Sequence, residues 1–325
     1  MNVLYIFGNG FDKAQGMATS YPEFYKDLKN NITGGSILLN RMKEEINERQ
    51  ELWSDMEECL GAFTASSDNA EDFYDFYFEL NEHLQRYLKS ENDKFLPTDK
   101  LKTKFQRDFI SVSKYLGALD KNRYNAFIRT HGFSSKDISV ITLNYTDTLE
   151  KILNLSGGAT TKGFGHSIIL RDIIHVHGRL GGSIIIGVDN EEQMKNEAFR
   201  KNDDIKDLMI KIQSNRVMKE TRHIQCETLI NEANVIVLFG VSLGDTDARW
   251  WKIIGDNLVK RKNIAVIQHL YEPNAIIPTQ LQKRGRLERR QQKRLMQKMR
   301  IEEKNWTEDL RNRLFFTVNE PVYRM

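Results

Sequence analysis

The apolar pattern begins with an uninterrupted run, Val3-Leu4-Tyr5-Ile6-Phe7, which stops at Gly8-Asn9-Gly10. Five consecutive strand-compatible residues predict a strand buried on both faces, as in a parallel sheet covered by helices. Comparable runs recur at 138–143, 168–176, 184–188, 234–239 and 263–270. Between the first and second, residues 37–130 repeat apolar positions every three to four residues, as in Leu38, Leu39, Met42, Ile46 and then Trp53, Met56, Leu60, Phe63. That period predicts amphipathic helices, with the aromatic stripe through Phe73, Phe76 and Tyr77 as core. Thr19 or Ser20, followed by Pro22 and Glu23, reads as a capped helix start. The preceding segment is then a loop or a very short helix over the first strand end. Residues 190–232 are charged and helix-compatible and should cross the sheet. Trp306, Leu310, Leu314 and Phe315 suggest a closing helix that runs into the tail.

These elements predict an α/β fold, a Rossmann-like parallel sheet with a large helical insertion. The expected division is 1–35 with 131–275 as a nucleotide-binding α/β domain, 36–130 as a helical insertion, and 276–325 as a basic C-terminal helical segment. At 325 residues, with 40% hydrophobic and 29% charged side chains, the chain has the composition of an ordinary soluble protein. It shows no 18-residue apolar span and no signal peptide, so a cytoplasmic protein without membrane contact is expected. Cys59 and Cys226 are too few for a four-cysteine zinc site and read as reduced core thiols. A net charge of +3 gives no case for nucleic-acid binding by the chain as a whole. Locally, the stretch from Lys283 to Arg300 is strongly basic, and a helix there would attract phosphate backbones or an acidic partner.

The chemistry-bearing residues lie where the apolar runs end. Gly8 and Gly10, with Asn9 between them and Phe11 and Asp12 beyond, make a turn of phosphate-binding type. Lys13 stands where the dinucleotide fingerprint has its third glycine, so the pattern is not that of a dehydrogenase. Asn144-Tyr145-Thr146-Asp147 follows the second long run, and His177-Gly178 the third. Gly240-Val241-Ser242-Leu243-Gly244-Asp245 repeats the opening logic after the run at 234–239. Taken singly, these are also ordinary strand-to-helix turns, a helix cap and a structural histidine. A parallel sheet, however, places such ends along one edge, where open α/β sheets bind ligands. The Gly-x-Ser-x-Gly spacing argues weakly for a hydrolase elbow, because only His269 follows Ser242. His166, His175 and His177 lack an acidic or cysteine co-ligand at a convincing spacing, so no metal is expected.

Taken together, GNGFDKAQGMATSYPEF, LWSDMEECLG, LNYTDTLE, HVHG and LFGVSLGDTD resemble the AbiH family of bacteriophage abortive-infection proteins, from the first residues to about residue 256. More distantly, the order of glycine turn, asparagine loop, His-Gly corner and Gly-x-Ser turn is similar to that of sirtuin-like NAD-binding domains. The resemblance implies an antiphage effector, an NAD glycohydrolase whose substrate is NAD. In it, Gly8, Asn9 and Gly10 would cradle the pyrophosphate, Asn144 would position the nicotinamide ribose or a water, and His177 would act as base. Gly240 and Ser242 would hold phosphate or ribose. Asp12 and Glu57 are further acids for ribose or water, with Glu57, inside the helical insertion, expected on the surface. The chain departs from the pattern at Thr146, where an aspartate is usual and Asp147 comes one residue later. Without four cysteines, the peptide-deacylating branch is disfavoured. A restrained toxic effector is expected to form a homo-oligomer and to respond to a phage-derived trigger. The alternative is a non-catalytic defence sensor that binds nucleotide, or nucleic acid through the segment from Lys283 to Arg300.

Overall fold

The apolar runs that are longest and least interrupted become the interior strands. The computed structural model describes residues 1–133, 135–155, 161–164, 168–272 and 282–324. In chain order the strands are β1 (Asn2–Phe7), β2 (Lys136–Thr142), β3 (Lys162–Gly163), β4 (Ile168–His175), β5 (Val235–Phe239), β6 (Ala265–Leu270) and β7 (Leu314–Val318). They form one sheet in the order β3-β4-β2-β1-β5-β6-β7, parallel throughout except for the short edge strand β3. The chain moves outward from β1 to β2 and β4, then returns to the other side of β1 at β5. The switch point of this α/β fold therefore lies between β1 and β5, beside Gly8 and Gly240, and ligands bind such sheets there.

Alternation along β1 splits the core in two. Tyr5 and Phe7 face the helices Asp99–Ile110 and Ala118–Thr130 through Phe105, Phe109 and Tyr124. Leu4 and Ile6 face Cys226, Trp251 and Leu295 on the helices Arg222–Glu232, Ala248–Lys260 and Gln282–Lys298. A third cluster joins the helices Tyr21–Asn31, Ile37–Glu48, Met56–Phe63 and Ala70–Lys94 to Ile184, Ile186, Val188 and Met209. This cluster covers the carboxyl edge of the strands. The helix Tyr21–Asn31 begins as its sequence predicts, with Ser20 and Glu23 closing a capping box. Such a box satisfies two otherwise orphaned backbone donors.

Two predicted elements need correction. The apolar run 184–188 is not a strand; it touches other backbone only as single bridges, Gly178 to Ile184 and Val188 to Ile210. Backbone groups satisfy Ile185 N–H and both peptide groups of Val188, and side chains satisfy others. Tyr77, Asn81 and Tyr145 donate to the carbonyls of Ile186, Ile184 and Ile185, and Gly187 N–H donates to Glu57 at 3.3 Å. The expected closing helix through Leu314 ends at Asn312, and after Arg313 the five residues Leu314–Val318 are β7. All five are buried, and a Leu-Phe-Phe-Thr-Val sequence favours the pleated strand over another helical turn.

Candidate functional site

Parallel register aligns the strand ends. Phe7 pairs with both Thr142 and Phe239, and Thr142 pairs with His175, so the turns that follow emerge side by side. They line a cavity of about 650 Å³. Its wall carries Asn9, Asp12, Asn144, Tyr145, Thr146 and His177 from the strand-end turns, with Gly240 and Ser242 at the switch point. The capping helices add Tyr21, Asp55 and Glu57, and the turn after β5 adds Thr246 and Asp247. The sequence-predicted residues Gly8, Gly10, Val241 and Gly244 also line it. Phe11 is core, packing on Phe7 at 4.6 Å between ring centroids. Gly178 and Asp245 are not among the lining residues. Gly178, at φ +88, makes room for the Ser183 carbonyl, which a Cβ would approach to 2.0 Å. Asp245 is exposed and pairs with Lys298 at 2.9 Å.

The glycines at the switch point serve the contact between two turns. A Cβ on Gly10 would lie 2.5 Å from Gly240 Cα, and one on Gly240, which sits at φ +67, would lie 2.5 Å from Phe11 N. Gly8 N–H donates to the Phe239 carbonyl at 3.0 Å, Gly10 N–H to the Gly240 carbonyl at 2.9 Å, and Phe11 N–H to the Gly8 carbonyl at 2.8 Å. The expected pyrophosphate cradle therefore needs correction, because the amides at Gly8, Gly10 and Phe11 are already engaged within the protein. Asn9 is engaged too: its amide donates to the Thr19 carbonyl and its oxygen accepts from the Thr19 hydroxyl at 2.6 Å. Among the described residues, the Val241 and Ser242 N–H groups donate to no other backbone group.

Two polar clusters contribute side chains to the cavity. In the first, Thr148 donates to Thr146 at 3.1 Å and Thr146 donates to Asp12 Oδ2 at 2.6 Å. Burial pushes the Asp12 carboxyl up to about 6 against the pull of these hydroxyls and the nearby Asn144 amide. Asp12 Oδ1 and Asn144 Nδ2 are buried and find no hydrogen-bond partner among the described residues. Behind them, His175 Nδ1 lies 2.9 Å from the Asn144 carbonyl and Nε2 lies 2.7 Å from Glu150. Both neighbours are oxygen atoms, and the Nδ1 contact fixes the asparagine backbone. Burial raises the Glu150 carboxyl, but His175 and Arg179 outweigh it and leave the group below its ordinary value.

The second cluster is built around Lys211, which reaches Glu57 at 2.8 Å and Asp247 at 3.0 Å, with all three side chains nearly inaccessible. His177 Nε2 lies 2.9 Å from the same Asp247 oxygen, although out of hydrogen-bond alignment, and its Nδ1 has no partner among the described residues. Burial alone would lift the Asp247 carboxyl, yet Lys211 and His177 hold it far below the ordinary range. Glu57 goes the other way: burial, reinforced by Asp247, raises it despite Lys211. The expectation of a surface Glu57 is thus corrected. Helix Met56–Phe63 turns it inward, where it also accepts from Gly187 N–H. Of the three histidines considered as metal ligands, His175 and His177 have these carboxylate neighbours, and His166 lies outside the described residues.

Sequence reasoning missed Lys211 and gave Asp247 no role. Lys211 stands in a long charged stretch with nothing local to mark it. Asp247 follows a recognised turn, and only its fold-imposed approach to His177 distinguishes it.

A family model described as bacteriophage abortive infection AbiH matches residues 4–269. The chain belongs to the AbiH family. The matched stretch of this AbiH chain contains every residue that lines the 650 Å³ cavity, and it ends before the basic helix Gln282–Lys298. No curated protein matches the chain. Among the described residues, no helix is long and apolar enough to cross a membrane. The AbiH assignment supports a role in abortive infection against bacteriophage.

Proposed function

We propose that this AbiH protein is an antiphage effector that binds NAD at the switch point and hydrolyses its nicotinamide–ribose bond. The observation that carries the reading is the set of buried, unpartnered polar atoms on residues that line one cavity: Asp12 Oδ1, Asn144 Nδ2 and His177 Nδ1. Buried polar groups normally find partners, so three orphans around one space favour a polar ligand there. Cleavage of this bond leaves an oxocarbenium-like ribose as nicotinamide departs with the bonding electrons. Such a reaction asks for positioning and electrostatic support rather than covalent help.

In this reading Asn144 Nδ2 donates to a ribose hydroxyl or to the attacking water. His177 Nδ1 accepts the proton that water loses, while Asp247, itself paired with Lys211, sets a negative charge 2.9 Å from Nε2 of the ring. Asp12 supplies negative charge toward the developing cation. The products are nicotinamide and ADP-ribose, and the proton released from water balances the reaction.

A dinucleotide is favoured over a mononucleoside by a second cavity of about 450 Å³ on the far side of the glycine contact. Gly10, Lys13, Gly240, Val241 and Ser242 line both spaces. The second space adds Arg294, Arg324 and Gln268, whose buried Oε1 has no partner among the described residues. In the proposal the pyrophosphate crosses between them, held by Lys13 and the N–H groups of Val241 and Ser242, and the adenosine half enters the second space.

Thermal unfolding with added NAD tests binding. NAD at about 100 times its dissociation constant should stabilise the fold by about 2.7 kcal/mol. The upward shift in melting temperature should be smaller in Asn144→Ala. Absence of any shift at millimolar NAD, or an equal shift in the variant, contradicts the assignment.

A further inference from the structure

The helix Gln282–Lys298 carries a charge pattern of which the NAD reading uses only Arg294. From Lys283 to Arg300 there are nine basic side chains and one acid, an excess larger than the chain's whole net charge of +3. The rest of the molecule is therefore net negative, and the positive charge is concentrated on this element. At 100° per residue, the exposed side chains of Lys283, Arg286, Arg289, Arg290, Lys293 and Arg294 fall within a sector of about 140°. Arg284 and Lys298, which sit toward the packed side, have carboxylate partners in Glu288 and Asp245. Among the described residues, none of Lys283, Arg286, Arg289, Arg290 and Lys293 has such a partner, and Arg294 reaches only the Ser242 carbonyl. The opposite face is committed to the core through Leu287, Leu295 and Met299.

We infer that this face is a docking surface for double-stranded DNA, bound through its phosphates without base-specific readout. Six cations free of carboxylates, with the apolar face already buried, complement a polyanion and offer a lipid bilayer nothing to insert. The face has no aromatic side chain, so it lacks the stacking platform that single strands use. From Lys283 to Arg294 the helix extends about 17 Å, enough to reach across the roughly 12 Å major groove of B-form DNA to both flanking backbones. The deep, narrow major groove of an RNA duplex would not admit it. The surface does not depend on the NAD reading, although Arg294 and Lys298 tie the same helix to the turn Ser242 to Asp245.

Fluorescence anisotropy with the full chain and a labelled DNA duplex of about 25 base pairs tests the inference. With six phosphate contacts, affinity should fall roughly 10³-fold between 50 and 200 mM salt, a log–log slope of about −5. The triple variant Arg286→Gln, Arg290→Gln, Lys293→Gln should bind about tenfold or more weakly and lose about three units of slope. Its melting temperature should be unchanged, since these side chains are exposed and unpaired. The inference is overturned by absent duplex binding at 50 mM salt, by unchanged affinity and slope in the variant, or by equal or tighter binding of single-stranded DNA, duplex RNA or anionic vesicles.

Discussion

Asp12→Asn should stabilise the fold while impairing the site, and pH separates this effect from ordinary mutational effects. Burial lifts the Asp12 carboxyl from its ordinary 3.8 to about 6. Unfolded chains lose this proton as pH rises through 3.8, whereas the folded protein keeps it until about 6. The native state therefore binds the extra proton in that window, and stability falls as pH rises across it. The penalty is about 1 kcal/mol at pH 4.5 and about 3 kcal/mol at pH 7.5. Asparagine removes it and retains an oxygen to accept from Thr146 at the present 2.6 Å. Its amide would occupy the place of the unpartnered Oδ1, and an unsatisfied buried donor costs about 1–3 kcal/mol. That cost does not vary with pH. The variant-minus-parent stability should thus rise by roughly 2 kcal/mol between pH 4.5 and 7.5, whatever its absolute level. Urea unfolding at a series of pH values measures this directly. A difference that is flat with pH, or that falls as pH rises, refutes the argument that burial raises the Asp12 carboxyl in the folded protein.

Other perturbations test the rest of the architecture. Lys211→Met leaves Glu57 and Asp247 buried without their cation and should cost about 3–5 kcal/mol in urea unfolding. Adding Glu57→Gln and Asp247→Asn should recover part of this loss, and a single-variant cost below about 1 kcal/mol would show that the network is not a buried ion cluster. Gly10→Ala places a methyl 2.5 Å from Gly240 Cα, where backbone meets backbone, and should cost at least about 2 kcal/mol. Gly163→Ala, with nothing within 4 Å of the new Cβ, is the matched control and should cost far less in the same melts.

The interior of the sheet was legible because its strands are rich in apolar residues, with β1 and β5 buried on both faces. β1, β2, β4, β5 and β6 all appear in the sequence as apolar runs. β7 was not, because Leu310 and Leu314 keep helical spacing just where the short helix gives way to the strand. The run at Ile184, Ile185 and Ile186 has strand composition, but its partners are Tyr77, Asn81 and Tyr145, set by the folded arrangement and not by neighbouring sequence. At the site, Asn144 and His177 could be found from position alone, since each follows an apolar run. Lys211 could not: its partners lie 154 and 36 residues away, and no local period distinguishes a lysine turned inward from those facing water. The opening glycines were identified as important for a reason that the packing revises. They are required by the contact with Gly240, and the amides of Gly8, Gly10 and Phe11 are engaged within the protein, whereas those of Val241 and Ser242 on the opposite turn donate to no other backbone group.

The proposed chemistry meets its most direct test in nicotinamide release. Protein purified from phage-challenged and unchallenged cells would be incubated with NAD, and nicotinamide and ADP-ribose followed by chromatography. The account predicts equimolar products from the challenged preparation at least, with the rate lowered by about 10²–10⁴ in His177→Ala, as for loss of a general base, and a marked loss in Asn144→Ala. No release from either preparation, or release that both variants leave intact, would contradict it.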